Sequence, residues 1–284
     1  MEIKYIVDQN HITVRDYLEK KGFSRNFRKQ VRIHDIVYCN GIPVKNHFIL
    51  HKNDELIIKQ KEEMNPLIAL NAQPFTILFE DEYFLIIEKP SGISSQPSKK
   101  HPDDNLISMI KHYYQDQAIS TNIHIVNRLD YATSGIVIVA KSGFVHHQMN
   151  KTFILKKYLC VIEGELTAKE GTISLPIKRM NPINIKRIVS DDGQTAITHY
   201  RVIEEINGLS LLEVWLDTGR THQIRVHFSY LNHPLKGDAL YGKAEDQLYL
   251  HCCFISFVHP YTNQPITLEN RPTWEGTYFI CPTS

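Results

Sequence analysis

One carboxylate stands out for what surrounds it. Asp130 follows Arg128-Leu129 and precedes the small, hydroxyl-bearing turn Thr133-Ser134-Gly135, so a potential nucleophile or base is flanked by a cation and a turn. Directly downstream, Ile136 to Ala140 is an unbroken apolar, mostly β-branched run, the pattern of a strand buried on both faces. The polar half of the stretch His124 to Lys141 therefore feeds into a core strand, and Asp130 is carried on a loop anchored by rigid structure, where sites usually lie. An Asp in such a turn can equally hydrogen-bond its own backbone. Local chemistry alone leaves both readings open.

Other chemistry-bearing residues narrow the field. Cys39, Cys160, Cys252, Cys253 and Cys281 form no Cys-x-x-Cys pair and have no His partner at ligand spacing, which reads as reduced thiols in an intracellular protein. His222 and His227 are five apart, and no His-Glu-x-x-His string occurs, so no metal site is expected. The amino terminus lacks the apolar core of a signal peptide, and no run approaches the ~20 apolar residues that span a bilayer.

A chain of 284 residues with a net charge of +1 has room for a catalytic domain and a small accessory module. The near-neutral charge hides an asymmetry: from His11 to Gln60 ten lysines and arginines face five acids, a local surplus of +5. Such a surplus suits contact with nucleic acid.

The elements that must position these residues follow in order. Met1 to Val7 alternates as a short strand, Val14, Tyr17 and Leu18 fall at helical spacing, and Ser24 can cap a second helix. That helix carries Phe27 and Val31 on one face and Arg25, Arg28, Lys29 and Arg32 largely on the other. Asn40-Gly41 between two apolar pieces supplies the positive φ angles of a two-residue hairpin. Lys61 to Gln73 lacks periodicity and reads as a linker. Beyond it, two apolar runs surround the acidic turn near Asp81, and Lys89-Pro90-Ser91-Gly92 ends the second. Leu106, Ile107, Ile110, Tyr113 and Tyr114 suit a helix, as do Val145, Met149 and Phe153. Lys157 to Ile162 and Leu211 to Leu216 read as strands, and Thr221 can cap a helix whose buried face is marked by Ile224, Phe228 and Leu231.

The string Arg128-Leu129-Asp130 with Thr133-Ser134-Gly135, a strand and Ala140-Lys141 resembles the signature of the RluA family of RNA pseudouridine synthases, in which that Asp is the essential catalytic residue. Thr218 to His227 is similar to a second family signature, whose Arg after Gln-Ile pairs with the catalytic Asp; here that residue is Arg225. Lys157-Tyr158 matches the family's pocket tyrosine, which stacks on uracil and is the candidate to assist removal of its C5 proton. The resemblance also gives Arg128 the space left by a flipped nucleotide. The Lys89-Pro90-Ser91-Gly92 turn, His233 to Asp238, Tyr241-Gly242, Leu250-His251 and His259-Pro260 continue the pattern in order, so it covers Phe75 to about Pro272. Asn127 and Gln96 stand where the family often has His, and at Asn127 a change in loop packing is expected.

The amino-terminal helices, Asn40-Gly41 hairpin and Asp54-Glu55 turn resemble the small RNA-binding module named after ribosomal protein S-four. Asn53 stands where that module usually has Gly, and His34-Asp35 where it has a Gly-containing turn.

The resemblance implies an α+β fold, with a mixed, largely antiparallel-sheet catalytic domain preceded by a small α/β RNA-binding domain: 1–60 for RNA binding, 61–74 as linker, 75–284 for catalysis. It implies isomerisation of uridine in structured ribosomal or transfer RNA by a cytoplasmic monomer without cofactor or metal. Asp130 would act at C1′ as a nucleophile or at C2′ as a base, ionised because Arg225 outweighs desolvation. Arg25, Arg28, Lys29 and Arg32 would hold phosphates. A non-catalytic RNA binder would have lost Asp130, Tyr158 or Arg225, and all are present. An aspartate-nucleophile hydrolase would want an acidic metal cluster or a Gly-rich phosphate loop, and the chain has neither.

Overall fold

The computed structural model describes residues 2–59, 64–182 and 185–278. Met1, Gln60, the linker residues Lys61 to Glu63 and Cys281 lie outside the described residues. Two apolar cores organise the rest.

The smaller core lies under a sheet in which strands Glu2–Ile6, Glu55–Lys59, Val37–Cys39 and Ile42–Pro43 are neighbours in that order. Helices Val14–Lys20 and Arg25–Ile33 pack on it, and each is started by a side chain: Thr13 accepts from the Asp16 amide and Ser24 from the Phe27 amide. These bonds satisfy amides that the first helical turn leaves without partners. The hairpin turns on Asn40 and Gly41, both at positive φ.

The larger core is built on a ten-stranded sheet. Its main path runs Glu170–Ser174, Ile197–Ile206, Leu209–Leu216, Leu155–Glu163, Leu250–Val258, Ser134–Ala140, Phe84–Lys89 and Thr76–Glu80, with Pro265–Glu269 and His124–Ile125 paired beside it. Every ladder is antiparallel except the pairing of Ser134–Ala140 with Leu250–Val258. The fold is therefore mixed α+β with a mostly antiparallel sheet. Ile136 to Ala140 are fully buried, as a central strand covered on both faces requires. Helix Leu106–Asp116 is capped by Asn105. The segment read as a linker lies along this helix, because the Lys111 ammonium donates to the carbonyls of Asn65, Pro66 and Ile68 and the Asn71 amide to that of Ser108.

The cores meet at an aromatic contact, with Tyr261 packed against both. Phe144, on helix Gly143–Met149, is buried among residues of the smaller core and stacks on Phe23 with ring centroids 3.6 Å apart. From the same helix, the Gln148 amide donates to the Lys21 carbonyl at 2.8 Å.

Three expectations are corrected. The helix carrying Val145 and Met149 ends at Met149, so Phe153 does not join their buried face and is 80% exposed. Thr221 is not a helix cap: helix Gln223–Tyr230 begins after His222, which takes the left-handed conformation (φ 58°) and makes no side-chain capping bond. Leu231 falls past the end of that helix and is exposed. Periodicity extrapolates a helix beyond its last hydrogen bond, and here the chain turns first.

Candidate active site

Asp130 sits in a cleft of about 870 Å³ whose lining includes Arg128, Tyr158, Trp215, His222 and Arg225. A cleft of this size accommodates a nucleotide with its neighbours. The loop that carries Asp130 is tied down at almost every residue. The Asn127 amide group donates to the Ile136 carbonyl and accepts from the Ile138 amide at 3.0 and 2.7 Å, which sews the loop to its own strand. Carbonyls of Leu129, Tyr131 and Ala132 accept from Ser95, Lys89 and Ser91, and the Gly92 amide donates to Tyr131. Loop carbonyls that face the interior must find donors, and the Lys89 to Ser95 turn supplies them. Where loop becomes strand, Gly135 has φ +114°, and a Cβ there would lie 2.3 Å from the Cys252 carbonyl oxygen. Only glycine lets the parallel neighbour approach so closely.

Lys89 is fully buried, with its ammonium 2.8 Å from the carbonyls of Pro90 and Ile93 and 3.3 Å from that of Tyr131. Burial pulls its pKa down to about 7, against the opposing charge of Asp130. Three carbonyl acceptors are the complement of an ammonium's three donors.

Arg225 reaches the cleft from helix Gln223–Tyr230, whose buried residues occupy more than one face. Its tight partner is Asp238: Nε and Nη2 each donate to that carboxylate at 2.7 Å, a bidentate fork that fixes the guanidinium plane. Nη1 lies 3.8 Å from Asp130 Oδ2, inside ion-pair range but too far for a hydrogen bond. The sequence resemblance had paired Arg225 with Asp130; the structure makes that the looser of two contacts. Burial would raise the Asp238 pKa, but the Arg225 hydrogen bonds outweigh it and hold the carboxyl below its usual range. Burial likewise works against the Arg225 charge and is overcome, so its pKa rises.

His222 was weighed by sequence only as a metal ligand and given no place beside Asp130. Its Nε2 lies 3.9 Å from Asp130 and its Nδ1 2.9 Å from the Tyr241 hydroxyl. Burial lowers its pKa below the ordinary imidazole value, while Asp130 opposes the change. Gln223 closes the preceding turn, accepting from the Thr218 hydroxyl and Arg220 amide and donating to the Ile197 carbonyl and Thr198 hydroxyl. Asp238, His222 and Tyr241 lie inside strings already noted, but nothing in their spacing reveals what they touch.

Tyr158, on strand Leu155–Glu163, is buried in the cleft wall, and burial pushes its phenol well above the ordinary value. Arg128 is exposed on the cleft lining. Of the four helix cations, Arg25, Lys29 and Arg32 are exposed, whereas Arg28 is largely covered and pairs with Glu19. None of the four lines the cleft. Among the described residues no three His, Cys, Asp or Glu side chains converge as a metal site, and no helix is long and apolar enough to cross a membrane.

Comparison with known proteins places this geometry. The family of RNA pseudouridylate synthases matches residues 83–230, a span that holds Asp130, Tyr158 and Arg225. The uncharacterized RNA pseudouridine synthase YjbO of Bacillus subtilis is 36% identical over 262 residues, covering 89% of this chain and 93% of that protein. Ribosomal large subunit pseudouridine synthase D of Pseudomonas aeruginosa is 34% identical over 207 residues, covering 72% of this chain and 64% of that protein. The fold is also that of human RNA pseudouridylate synthase domain containing 1, with a TM-score of 0.60 at 20% identity, covering 72% of this chain and 86% of that one. The tethered Asp130 loop thus lies within the matched region of a nearly full-length relationship, and the chain belongs to the RNA pseudouridylate synthase family, enzymes that isomerise uridine in RNA to pseudouridine.

Proposed function

We propose that this enzyme acts on uridine in structured ribosomal RNA through Asp130, without a cofactor. The name of the Pseudomonas relative favours ribosomal over transfer RNA as the substrate class. The observation that carries the catalytic reading is the placement of Asp130: a carboxylate 27% exposed to the cleft, on a loop that the Asn127 side chain fastens to a buried strand, with a guanidinium 3.8 Å away.

In the reaction the N1–C1′ bond breaks, the ring turns, C5 bonds to C1′, and the proton leaves C5 while N1 gains one. No electron is exchanged and no atom is lost. Asp130 acts at the sugar, as nucleophile at C1′ or base at C2′. Arg225, locked by Asp238, supplies a fixed positive charge that favours the carboxylate over the carboxylic acid. Tyr158 stacks on the uracil. Its phenol is held neutral, so it steers the ring and is a poor base for the C5 proton. A uridine within folded RNA must be flipped to reach Asp130, at a cost of a few kcal/mol, and Arg128 fills the gap.

The amino-terminal region, residues 1–60, is assigned as an RNA-binding unit like that of ribosomal protein S-four, ahead of a 61–74 connection and a catalytic unit from 75. Arg25, Lys29 and Arg32 meet phosphates, with Arg28 holding the helix to Glu19. We assign a monomer acting in the cytoplasm.

The test is a pseudouridine map of total RNA from cells lacking the gene, complemented with wild type or Asp130→Asn. A site that returns only with wild type establishes the activity and names the uridine. A map that wild type leaves unchanged, with the protein well expressed, overturns the proposal.

A further inference from the structure

Besides Tyr131, which stacks on His101, the rim of the cleft carries two further aromatic rings that the reaction does not use. Phe153 is 80% exposed, in the connection between helix Gly143–Met149 and strand Leu155–Glu163, and it lines the cleft. An isolated apolar side chain on a surface needs no explanation; one at the mouth of an active site whose lining holds a second ring does. Trp215 is that ring. It lines the same cleft from the last turns of strand Leu209–Leu216 and stands opposite Lys157 in the ladder with strand Leu155–Glu163, so both rings lie where the latter strand begins. The indole is backed by the His199 imidazole, nearly parallel at 17° with centroids 5.5 Å apart. His199 is itself held from both nitrogens, by Thr172 at 2.9 Å and Asp217 at 2.8 Å. Trp215 is thus a braced platform and Phe153 an open one. Arg128, Lys156 and Arg220 line the same cleft.

Aromatic faces interleaved with cations suit single-stranded RNA: unpaired bases offer open faces for stacking, whereas a duplex hides its bases and presents phosphate. We propose that Phe153 and Trp215 form a stacking rim for the unpaired nucleotides flanking the target uridine, so that the enzyme selects uridines in loops or opened helices. The inference rests on the functional reading above and extends it from the target base to its neighbours. Stacking on Phe153 holds the flanking base outside the cleft while the uridine turns in towards Asp130, and the rim cations take the intervening phosphates.

The rim contains its own reporter. The chain has two tryptophans, and Trp274 is buried against Tyr249, so in a Trp274→Phe background the emission comes from Trp215 alone. The probes are an oligouridylate and a blunt RNA duplex of equal length, titrated into the full chain, with filter binding as an independent measure. The expected result is quenching by the single strand, with affinity reduced about tenfold by Phe153→Ala. Phe153→Tyr retains the affinity and Phe153→Leu does not, which separates stacking from simple apolar contact. Because Phe153 is exposed, thermal midpoints should not move. The inference is overturned if Phe153→Ala or Phe153→Leu binds as wild type does, if duplex and single strand bind alike, or if bound oligouridylate leaves Trp215 emission unchanged. The cellular map judges the isomerase reading separately: a blank map beside intact Trp215 quenching sinks the reaction and not the rim, and the reverse sinks only the rim.

Discussion

Arginine serves two regions of this molecule in opposite ways. In the cleft, Arg225 is buried, clamped by Asp238 through two 2.7 Å bonds, and turned towards Asp130 with its remaining nitrogen. On the amino-terminal helix, Arg25 and Arg32 stand in solvent. A charge that must act on one atom is immobilised by a partner, and the loss of hydration is offset by that fork. A charge that meets phosphates gains by staying hydrated and mobile, since it works by releasing counterions and not by geometry. Arg28 lies between these cases: it shares the basic helix, yet its pairing with Glu19 makes it part of the scaffold.

The contrast can be broken at several points. The largest effect is expected from Asp130→Asn, which should remove all measurable pseudouridine formation while leaving RNA affinity and thermal stability in place; retained turnover would take Asp130 out of the mechanism. Arg225→Met should cost about 3–5 kcal/mol by leaving Asp238 buried without its partner, read by urea denaturation, together with a sharp loss of turnover. Adding Asp238→Leu should recover stability and not activity. A double variant that recovers both would reduce Arg225 to a structural role.

On the other side of the contrast, changing Arg25, Lys29 and Arg32 together to Gln should lower the slope of log affinity against log salt by about 2, with turnover at saturating RNA preserved. Arg28→Gln alone should leave that slope unchanged and lower the melting temperature slightly. An equal slope loss from Arg28→Gln would erase the distinction between the paired and solvated cations. These point variants are cleaner than deleting the amino-terminal region, because deletion would bare Phe144.

A separate effect, visible only in the pH dependence of stability, concerns Lys89. With a pKa of about 7 in the folded protein against 10.5 for the free side chain, the unfolded chain binds the extra proton between those values, so wild-type stability should rise with pH across that window. Lys89→Met should remove this rise, as seen in denaturation series at stepped pH. Parallel curves for the two proteins would mean that the carbonyl cage keeps the ammonium charged throughout.

Much of the architecture was legible because it rests on local rules. The buried strand Ile136 to Ala140, the Ser24 cap and the Asn40-Gly41 turn follow from side-chain branching, capping chemistry and positive φ, each confined to a few neighbouring residues. Asp130, Tyr158 and Arg225 were singled out through short strings of the family. What surrounds them was not legible. Asn127 looked like a departure from the family string, and the structure shows its side chain fastening the loop to the strand.

By itself, then, the sequence determined many of the elements though not all of their ends, the family and the residue types available for chemistry, since these depend on near neighbours and recognisable strings. Only the tertiary structure decided that Asp238 takes the tight bonds of Arg225, that His222 turns left-handed beside Asp130, that Phe144 plugs the other core and that Phe153 faces solvent at the cleft. Each of those outcomes depends on which distant backbone arrives next to a side chain, and a guanidinium or a phenyl ring carries no mark in the sequence of the partner that will desolvate it.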